Sequence, residues 1–283
     1  MHTYFIRPAG ALVLLVVCLM FAPARRVTGD RPVGASPSLD APPAPAGSTD
    51  KSFAELCRVD PVEALATSMR RYKATVEGYT CTFRKRERMH GKFRDQEVIA
   101  CEFQEAPFAV LMRWTEGGGR AAAMLYSAAE DDTHLFIVPA DNFAKVALRA
   151  LGKTSAKRPL ASAEIRDASR YPPSQFGIYN GTARAYTDWK AYQERGVLRT
   201  KYEGVRPVPE LGGRPCHILT RTSAAAEPPE GQTGVTLLFD TETLLQLGAV
   251  LYAGDELLAT YYFHDLKLNP KFDARHFSSE RLK

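Results

Sequence analysis

Residues 79–103 read YTCTFRKRERMHGKFRDQEVIACEF, and this stretch decides the fold class of the chain. Apolar and polar side chains alternate along residues 79–87, and a second strand-like run covers residues 94–104. A period of two is typical of β-strands that bury one face. Gly91 lies between the two runs, where a glycine favours a turn. The stretch therefore predicts an antiparallel hairpin.

The side chains of this hairpin also predict its register. In one register apolar residues face each other and opposite charges meet. Its facing pairs are Tyr79 with Phe103, Cys81 with Cys101, Phe83 with Ile99, and Lys85 with Glu97. A shift by one residue would place Cys81 opposite Ala100 and would turn Ile99 to the other face. The first register fits the pattern better, and we predict it.

The cysteines offer a further prediction from this register. Cys18 lies in an N-terminal apolar run, and four other cysteines remain, which allow three pairings. Directly opposed strand residues lie about 4.5–5.5 Å apart, within the reach of a disulfide. We therefore predict a disulfide between Cys81 and Cys101, which an oxidising compartment would preserve. Two buried free thiols are the alternative, and Cys57 with Cys216 is the residual pair.

Strand-like segments continue from this hairpin to Leu268, separated by short turns. Residues 107–114 are apolar on both faces, which suits a sheet covered on one side and lining a cavity on the other. A meander of this length curls. We predict a mainly β (α+β) fold, a curved antiparallel sheet that forms an incomplete barrel. Its roughly ten strands are 79–87, 94–104, 107–114, 121–127, 134–138, 197–205, 214–222, 234–240, 245–252 and 257–267.

Helical patterns occur before the first strand and in the middle of the chain. Asp60 is a predicted N-cap, Pro61 takes the first helical position, and the helix is expected to end near Gly78. Residues 141–187 break the meander and contain shorter helical patterns. These patterns lie at 144–151, 160–169 and around 183–192. We predict that this insertion covers the opening of the barrel.

The N-terminus has the pattern of an export signal in residues 1–24. An apolar run at 11–21 precedes Ala22-Pro23-Ala24, which fits a cleavage site. The run is shorter than the roughly 20 apolar residues of a membrane-spanning helix. An uncleaved anchor and lipid attachment at Cys18 remain as alternatives. We predict a periplasmic or secreted protein of the bacterial cell envelope.

Composition divides the remaining chain into a linker and one domain. Residues 25–52 are rich in Pro, Ala, Gly and Ser, which predicts a disordered linker. Residues 53–283 are the predicted domain. Without residues 1–24 the chain has 36 basic residues, one fewer than the 37 of the full sequence, against 32 acidic ones. This mild excess argues against a nucleic-acid partner. The basic cluster at residues 84–88 lies on a predicted strand and turn, and we interpret it as a solvated face.

No sequence pattern indicates catalysis. The chain has no nucleophile elbow, zincin motif, phosphate-binding loop or C-x-x-C pair. The histidines of the predicted domain stand singly, as structural histidines commonly do. We predict no catalytic residue, no metal site and no cofactor.

Three stretches carry a resemblance to known proteins. They are residues 79–88 running into Gly91, PFAVLMRW at 107–114, and YYFHDLKLNP at 261–270 followed by Phe277. The chain resembles an uncharacterised family of secreted bacterial proteins related to the LolA/LolB-like superfamily. That superfamily includes outer-membrane lipoprotein carriers and the N-terminal domain of RseB-type stress regulators. The resemblance implies an open β-barrel plugged by helices and a place in the envelope. It assigns no residue a role.

We therefore predict a non-enzymatic carrier or sensor that binds a lipid, an acyl chain or a lipoprotein on the concave face. The candidate lining residues are Phe108, Val110, Met112, Trp114, Phe239 and Phe263. A structural or protein-interaction module of the envelope with a packed interior is the alternative, and an unrecognised hydrolase is a third reading. The predicted partners are a lipid or lipoprotein, an envelope protein, and a membrane surface in peripheral contact.

Overall fold

The computed structural model describes residues 52–227 and 231–282. The predicted signal and residues 25–51 of the predicted linker lie outside these residues. The helices are α1 (Phe53–Val59), α2 (Pro61–Thr75), α3 (Asn142–Ala150), α4 (Ala163–Ala168) and α5 (Ile178–Glu194). Short 3₁₀ helices lie at Pro173–Gln175, Pro209–Leu211 and Ser279–Leu282.

Within residues 52–227 and 231–282, twelve strands form one antiparallel sheet. They are β1 (Gly78–Met89), β2 (Lys92–Phe93), β3 (Glu97–Gln104), β4 (Ala109–Glu116), β5 (Ala121–Ser127), β6 (Asp131–Pro139), β7 (Ala156–Pro159), β8 (Arg199–Val208), β9 (Arg214–Glu227), β10 (Gln232–Asp240), β11 (Gln246–Ala253) and β12 (Glu256–Leu268). The ten predicted strands are present. The short strands β2 and β7 were missed because two to four residues carry too little periodicity.

The strand order shows two meanders that meet at β1. The order is β7-β6-β5-β4-β3-β1-β12-β11-β10-β9-β8, and β2 pairs with β1 beside this path. Strands β7 and β8 stand at the two ends of the order, so the sheet does not close. The predicted mainly β fold with an unclosed antiparallel sheet is confirmed.

The predicted register of the first hairpin is confirmed, whereas the predicted disulfide is not formed. Cys81 faces Cys101 between β1 and β3, yet both are buried free thiols, as are Cys57 and Cys216. Burial raises the pKa of the Cys101 thiol, and a hydrogen bond with Cys81 adds to the rise. The thiolate is the form that oxidises. The pair therefore packs as small apolar side chains.

Helix α2 begins where the sequence predicted, because the Asp60 side chain accepts a hydrogen bond from the Glu63 N–H at 3.1 Å. The helix ends at Thr75, and Gly78 begins β1 instead of stopping the helix. A Cβ atom on Gly78 would lie 2.6 Å from the carbonyl oxygen of Phe103. The glycine therefore allows the close approach of β1 and β3.

One face of the sheet, here called the helix-covered face, packs against α1, α2 and α5. Its larger apolar cluster joins β1, β3–β6 and β12 to α2, α5 and residues 163–176. A second cluster joins the β8–β12 half of the sheet to α1, α2 and α5. The helices therefore cover the two meanders together.

The opposite face of β4–β6 corrects one sequence interpretation. Leu111 and Leu125 are apolar on this face because the C-terminal segment covers them, with Leu282 buried and Phe277 packed against the same cluster. Polar contacts hold the segment in place: the Ser279 N–H donates to Glu130 at 2.8 Å. The two apolar faces of β4 thus reflect two covering layers, not a covered face and a cavity.

In the described part of the chain, no helix is both long and apolar enough to span a membrane.

Candidate functional site

The structure brings five of the six predicted lining residues together. Phe108, Val110, Met112, Trp114 and Phe263 all belong to the larger cluster of the helix-covered face. Phe239 lies in the second cluster, where its ring packs against that of Phe53 at 5.5 Å. All six are in contact with other side chains. Ligand binding by these residues stays a prediction.

Aromatic rings dominate the centre of the helix-covered face. Tyr79 stacks on Phe103 at 4.7 Å between ring centroids, and Phe83 contacts Phe263 at 4.8 Å. Phe176 comes from the insertion and meets Phe83 edge to face at 5.1 Å. Alternation on β1, β3 and β12 places the four strand residues on one face, because directly opposed residues share a face. The insertion supplies the ring that closes the group.

Residues 163–176, here called the covering segment, lie over this aromatic group. The segment comprises α4, the 3₁₀ helix at Pro173–Gln175 and the residues between and after them. Ile165 and Phe176 are its buried apolar side chains. Gly177 follows it with φ +119°, and a Cβ there would lie 3.2 Å from the Tyr79 Oη. This backbone conformation needs a glycine.

Polar contacts fasten the covering segment from two sides. Arg94, in the first hairpin, donates to the carbonyl oxygens of Ala168 at 2.9 Å and Asp167 at 2.5 Å. On the other side, the Arg184 guanidinium from α5 donates to the Gln175 carbonyl at 3.0 Å. Its Cζ lies 4.0 Å from the centroid of the Tyr171 ring. Two arginines thus hold the segment by its backbone and one aromatic ring.

A buried polar network lies at one end of the aromatic group, beneath the covering segment. Its six members are Lys85, Glu87, Glu97, Trp114, Ser169 and Tyr261. The Lys85 Nζ lies 3.1 Å from the Glu87 Oε2 and 3.1 Å from the Glu97 Oε1. The Trp114 indole N–H donates to Glu97 at 2.5 Å. The Lys85 ammonium is thus shared by two carboxylates.

Glu87 connects this network to the covering segment. Its carboxylate accepts hydrogen bonds from the Tyr261 hydroxyl at 2.7 Å and the Ser169 hydroxyl at 3.2 Å. The Arg170 backbone N–H donates to the same carboxylate at 3.4 Å. Burial raises the pKa of the Tyr261 hydroxyl, and the Glu87 charge raises it further. Tyr261 is therefore a hydrogen-bond donor to Glu87 at neutral pH.

The network corrects the interpretation of the basic cluster at residues 84–88 as a solvated face. Only Arg84 and Arg86 are exposed, whereas the Glu87 side chain is 2% exposed. Lys85 and Glu87 share the inward face with Phe83 because side chains alternate along β1. That alternation was the signal that could have revealed the buried pair. No sequence pattern indicated that the insertion would cover this pair.

Residues 76–282 match the family described as protein of unknown function (DUF1571). The chain belongs to this family. The match spans the whole sheet, the insertion and the C-terminal segment, and it confirms the resemblance found in the sequence. No curated protein matches the chain.

The DUF1571 chain is similar to several solved structures. One is a putative outer membrane lipoprotein-sorting protein domain from Vibrio parahaemolyticus, with 11% identity, 77% of this chain and 99% of that chain covered, and a TM-score of 0.34. A LolA superfamily protein from Nitrosomonas europaea has 9% identity, 76% and 97% coverage, and a TM-score of 0.34. The lipoprotein LppX of Mycobacterium tuberculosis has 9% identity, 76% and 100% coverage, and a TM-score of 0.39.

Other described parts of the DUF1571 chain form a small cleft but no cluster of metal ligands. Within residues 52–227 and 231–282, no three His, Cys, Asp or Glu side chains are grouped as metal ligands would be. A cleft of about 60 Å³ lies beside Arg84, Glu210 and Tyr262. Small-molecule pockets usually measure about 300–1,000 Å³. This cleft is therefore too small for a lipid.

His217 is expected to make the free energy of unfolding depend on pH. Burial lowers the pKa of His217, and the Arg58 charge lowers it further, while Asp240 opposes both. Its Nδ1 lies 2.7 Å from the Tyr202 hydroxyl oxygen. The unfolded chain takes up a proton near pH 6.5, where the folded state still keeps His217 neutral. The free energy of unfolding is therefore expected to fall as the pH drops through about 6.5.

Urea denaturation between about pH 5 and pH 7.5 measures this dependence. We expect His217→Gln to flatten the fall relative to the wild type, since the proton uptake of the unfolded chain is removed. His90→Gln is the matched control because the His90 side chain is exposed in a turn. An equal slope in wild type and His217→Gln would contradict this assignment.

Proposed function

We propose that this protein is a non-enzymatic envelope protein that binds a lipid, an acyl chain or a lipoprotein on the helix-covered face, as a carrier or sensor. The observation that carries the proposal is the covering segment. It covers an aromatic face with the buried side chains of Ile165 and Phe176. Hydrogen bonds from Arg94 and Arg184 to its backbone hold it in place. An acyl chain would take the place of these side chains when the segment lifts.

The chemistry of the face suits an amphipathic ligand. Aromatic and aliphatic side chains from β1, β3, β4 and β12 form its centre, and burying an acyl chain there removes apolar surface from water. The network around Lys85 lies at one end and offers charged and hydroxyl groups to a polar headgroup. Gly177, with φ +119°, directly follows the covering segment and is the backbone position about which the segment would turn.

The proposal includes a periplasmic or secreted localisation and a folded domain at residues 53–283. Residues 1–24 would direct export and residues 25–52 would link the signal to the domain. Two of the similar structures are a putative lipoprotein-sorting protein domain and a lipoprotein. These likenesses assign no ligand to this chain.

Native mass spectrometry of the protein purified from its own envelope tests the proposal. We expect an added mass that denaturation releases as lipid, and saturable binding of a fluorescent fatty acid to the delipidated protein. A bare mass together with no saturable binding would overturn the proposal.

A bare mass with no saturable binding would favour the alternative, a structural or protein-interaction module of the envelope. Full burial of Val110 and Phe239 is the observation that favours it, because a filled interior leaves an acyl chain no space unless the covering segment moves. Protection of residues 163–176 from hydrogen exchange at the level of the central strands would support this alternative, since an opening segment exchanges faster.

A further inference from the structure

Helix α3 has an apolar face that no part of the described structure covers. Phe143 is 82% exposed and Val146 is 60% exposed. Leu151, the C-cap residue, is 73% exposed, and none of the α3 residues is buried. Isolated apolar side chains on a surface are ordinary, but three large ones on one nine-residue helix and its cap form a patch.

Helical spacing places the exposed apolar side chains on one side. Val146, Ala147 and Ala150 lie three, four and seven residues after Phe143, the spacings that align side chains on one side of an α-helix. Ala144 and Leu148 are partly buried on the side that contacts β6. The outward side of α3 is thus apolar along its full length.

Positive charge lies on the flank of α3 next to this apolar side, where Lys145 and Arg149 stand four residues apart. Residues 141–160 contain five basic side chains and one acidic side chain, Asp141. Lys157 pairs with Asp131 and Arg158 with Glu164. The other three are Lys145, Arg149 and Lys153, and no ion pair involves them in the described part of the chain.

We propose that α3 is a docking helix for an anionic lipid bilayer. Its apolar side would enter the boundary between headgroups and acyl chains, and the three unpaired basic residues would contact anionic headgroups. A protein groove could accept the apolar side, but the unbalanced positive charge beside it favours a surface with many negative charges. The proposal is independent of ligand binding on the helix-covered face.

The Asp141 side chain caps α3 through the Ala144 N–H at 2.8 Å. The helix is therefore formed before it meets a membrane, and docking needs little ordering. Helix α3 and the covering segment both lie in the insertion between β6 and β8, so the docking surface and the covering segment belong to the same insertion.

Vesicle binding of the exported, processed protein tests this inference. We expect binding to mixed phosphatidylglycerol and phosphatidylcholine vesicles, weakened by salt, and weaker binding to phosphatidylcholine alone. Each basic residue near an anionic surface contributes about fivefold in affinity, so Lys145→Glu with Arg149→Glu is expected to reduce binding at least about 25-fold. Lys201→Glu with Lys271→Glu, at exposed positions outside α3, is the matched control.

A local readout separates α3 from any contribution of the N-terminal apolar run. A tryptophan introduced by Phe143→Trp is expected to shift its emission to shorter wavelength on anionic vesicles, whereas one introduced by Val205→Trp is not. Binding that is equal in both charge-reversal variants, or an unchanged emission at position 143, would overturn the proposal. No vesicle binding by the wild type would also overturn the proposal. That result would favour a groove on a partner protein as the surface that α3 contacts.

Discussion

Replacing Phe103 by alanine is expected to lower the free energy of unfolding by about 3–5 kcal/mol. Phe103 is 1% exposed, and its ring contacts Tyr79 at 4.7 Å, Phe108 at 5.2 Å and Phe176 at 6.1 Å. Alanine would leave a cavity where the sheet meets the covering segment. Equilibrium unfolding in urea, monitored by tryptophan fluorescence, measures the change.

The same substitution at Phe143 is the matched control. Because Phe143 is 82% exposed on α3, Phe143→Ala is expected to change the free energy of unfolding by no more than about 0.5 kcal/mol. It is expected to weaken vesicle binding at the same time. Similar losses of stability in the two variants would show that Phe103 is not packed as described.

Removing the Glu87 carboxylate is expected to cost about 3–5 kcal/mol, because it breaks a buried ion pair and leaves its partners unsatisfied. Glu87→Ala leaves Lys85 with one carboxylate fewer, and the Tyr261 and Ser169 hydroxyls lose their acceptor. Glu87→Gln keeps the shape and an acceptor oxygen, so a smaller loss is expected. Urea denaturation at neutral pH measures both variants.

Glu256→Ala provides the comparison for this prediction. Glu256 pairs with Arg88 at 2.6 Å, but its side chain is 65% exposed, so its removal is expected to cost about 1 kcal/mol or less. If Glu87→Ala and Glu256→Ala destabilise the protein equally, the network around Lys85 is solvated and the covering segment does not bury it.

The strands and their pairing could be predicted from sequence because alternation is local. The opposite charges of Lys85 and Glu97 and the apolar match of Phe83 with Ile99 were enough to select the register. The same alternation placed Phe108, Val110, Met112 and Trp114 on one face. These predictions needed only neighbouring residues and one turn.

What covers each face could not be predicted, because it depends on contacts between distant segments. The C-terminal segment reaches Leu111 and Leu125 on β4 and β5, and the covering segment reaches Glu87 on β1. No periodic pattern records such contacts. A sheet face that looked like a cavity wall was therefore a covered face, and a charged pair that looked solvated was buried.

Binding of a fluorescent fatty acid to the wild type and to Arg94→Ala tests whether the covering segment opens to admit an acyl chain. Arg94 fastens the covering segment through two hydrogen bonds, each contributing about 1 kcal/mol, so its loss is expected to tighten apparent binding about five- to thirtyfold by raising the open fraction. Arg206→Ala removes an arginine that pairs with Glu203 and is expected to bind like the wild type. Equal affinity in all three proteins, or binding by none, would contradict a covering segment that opens to admit an acyl chain.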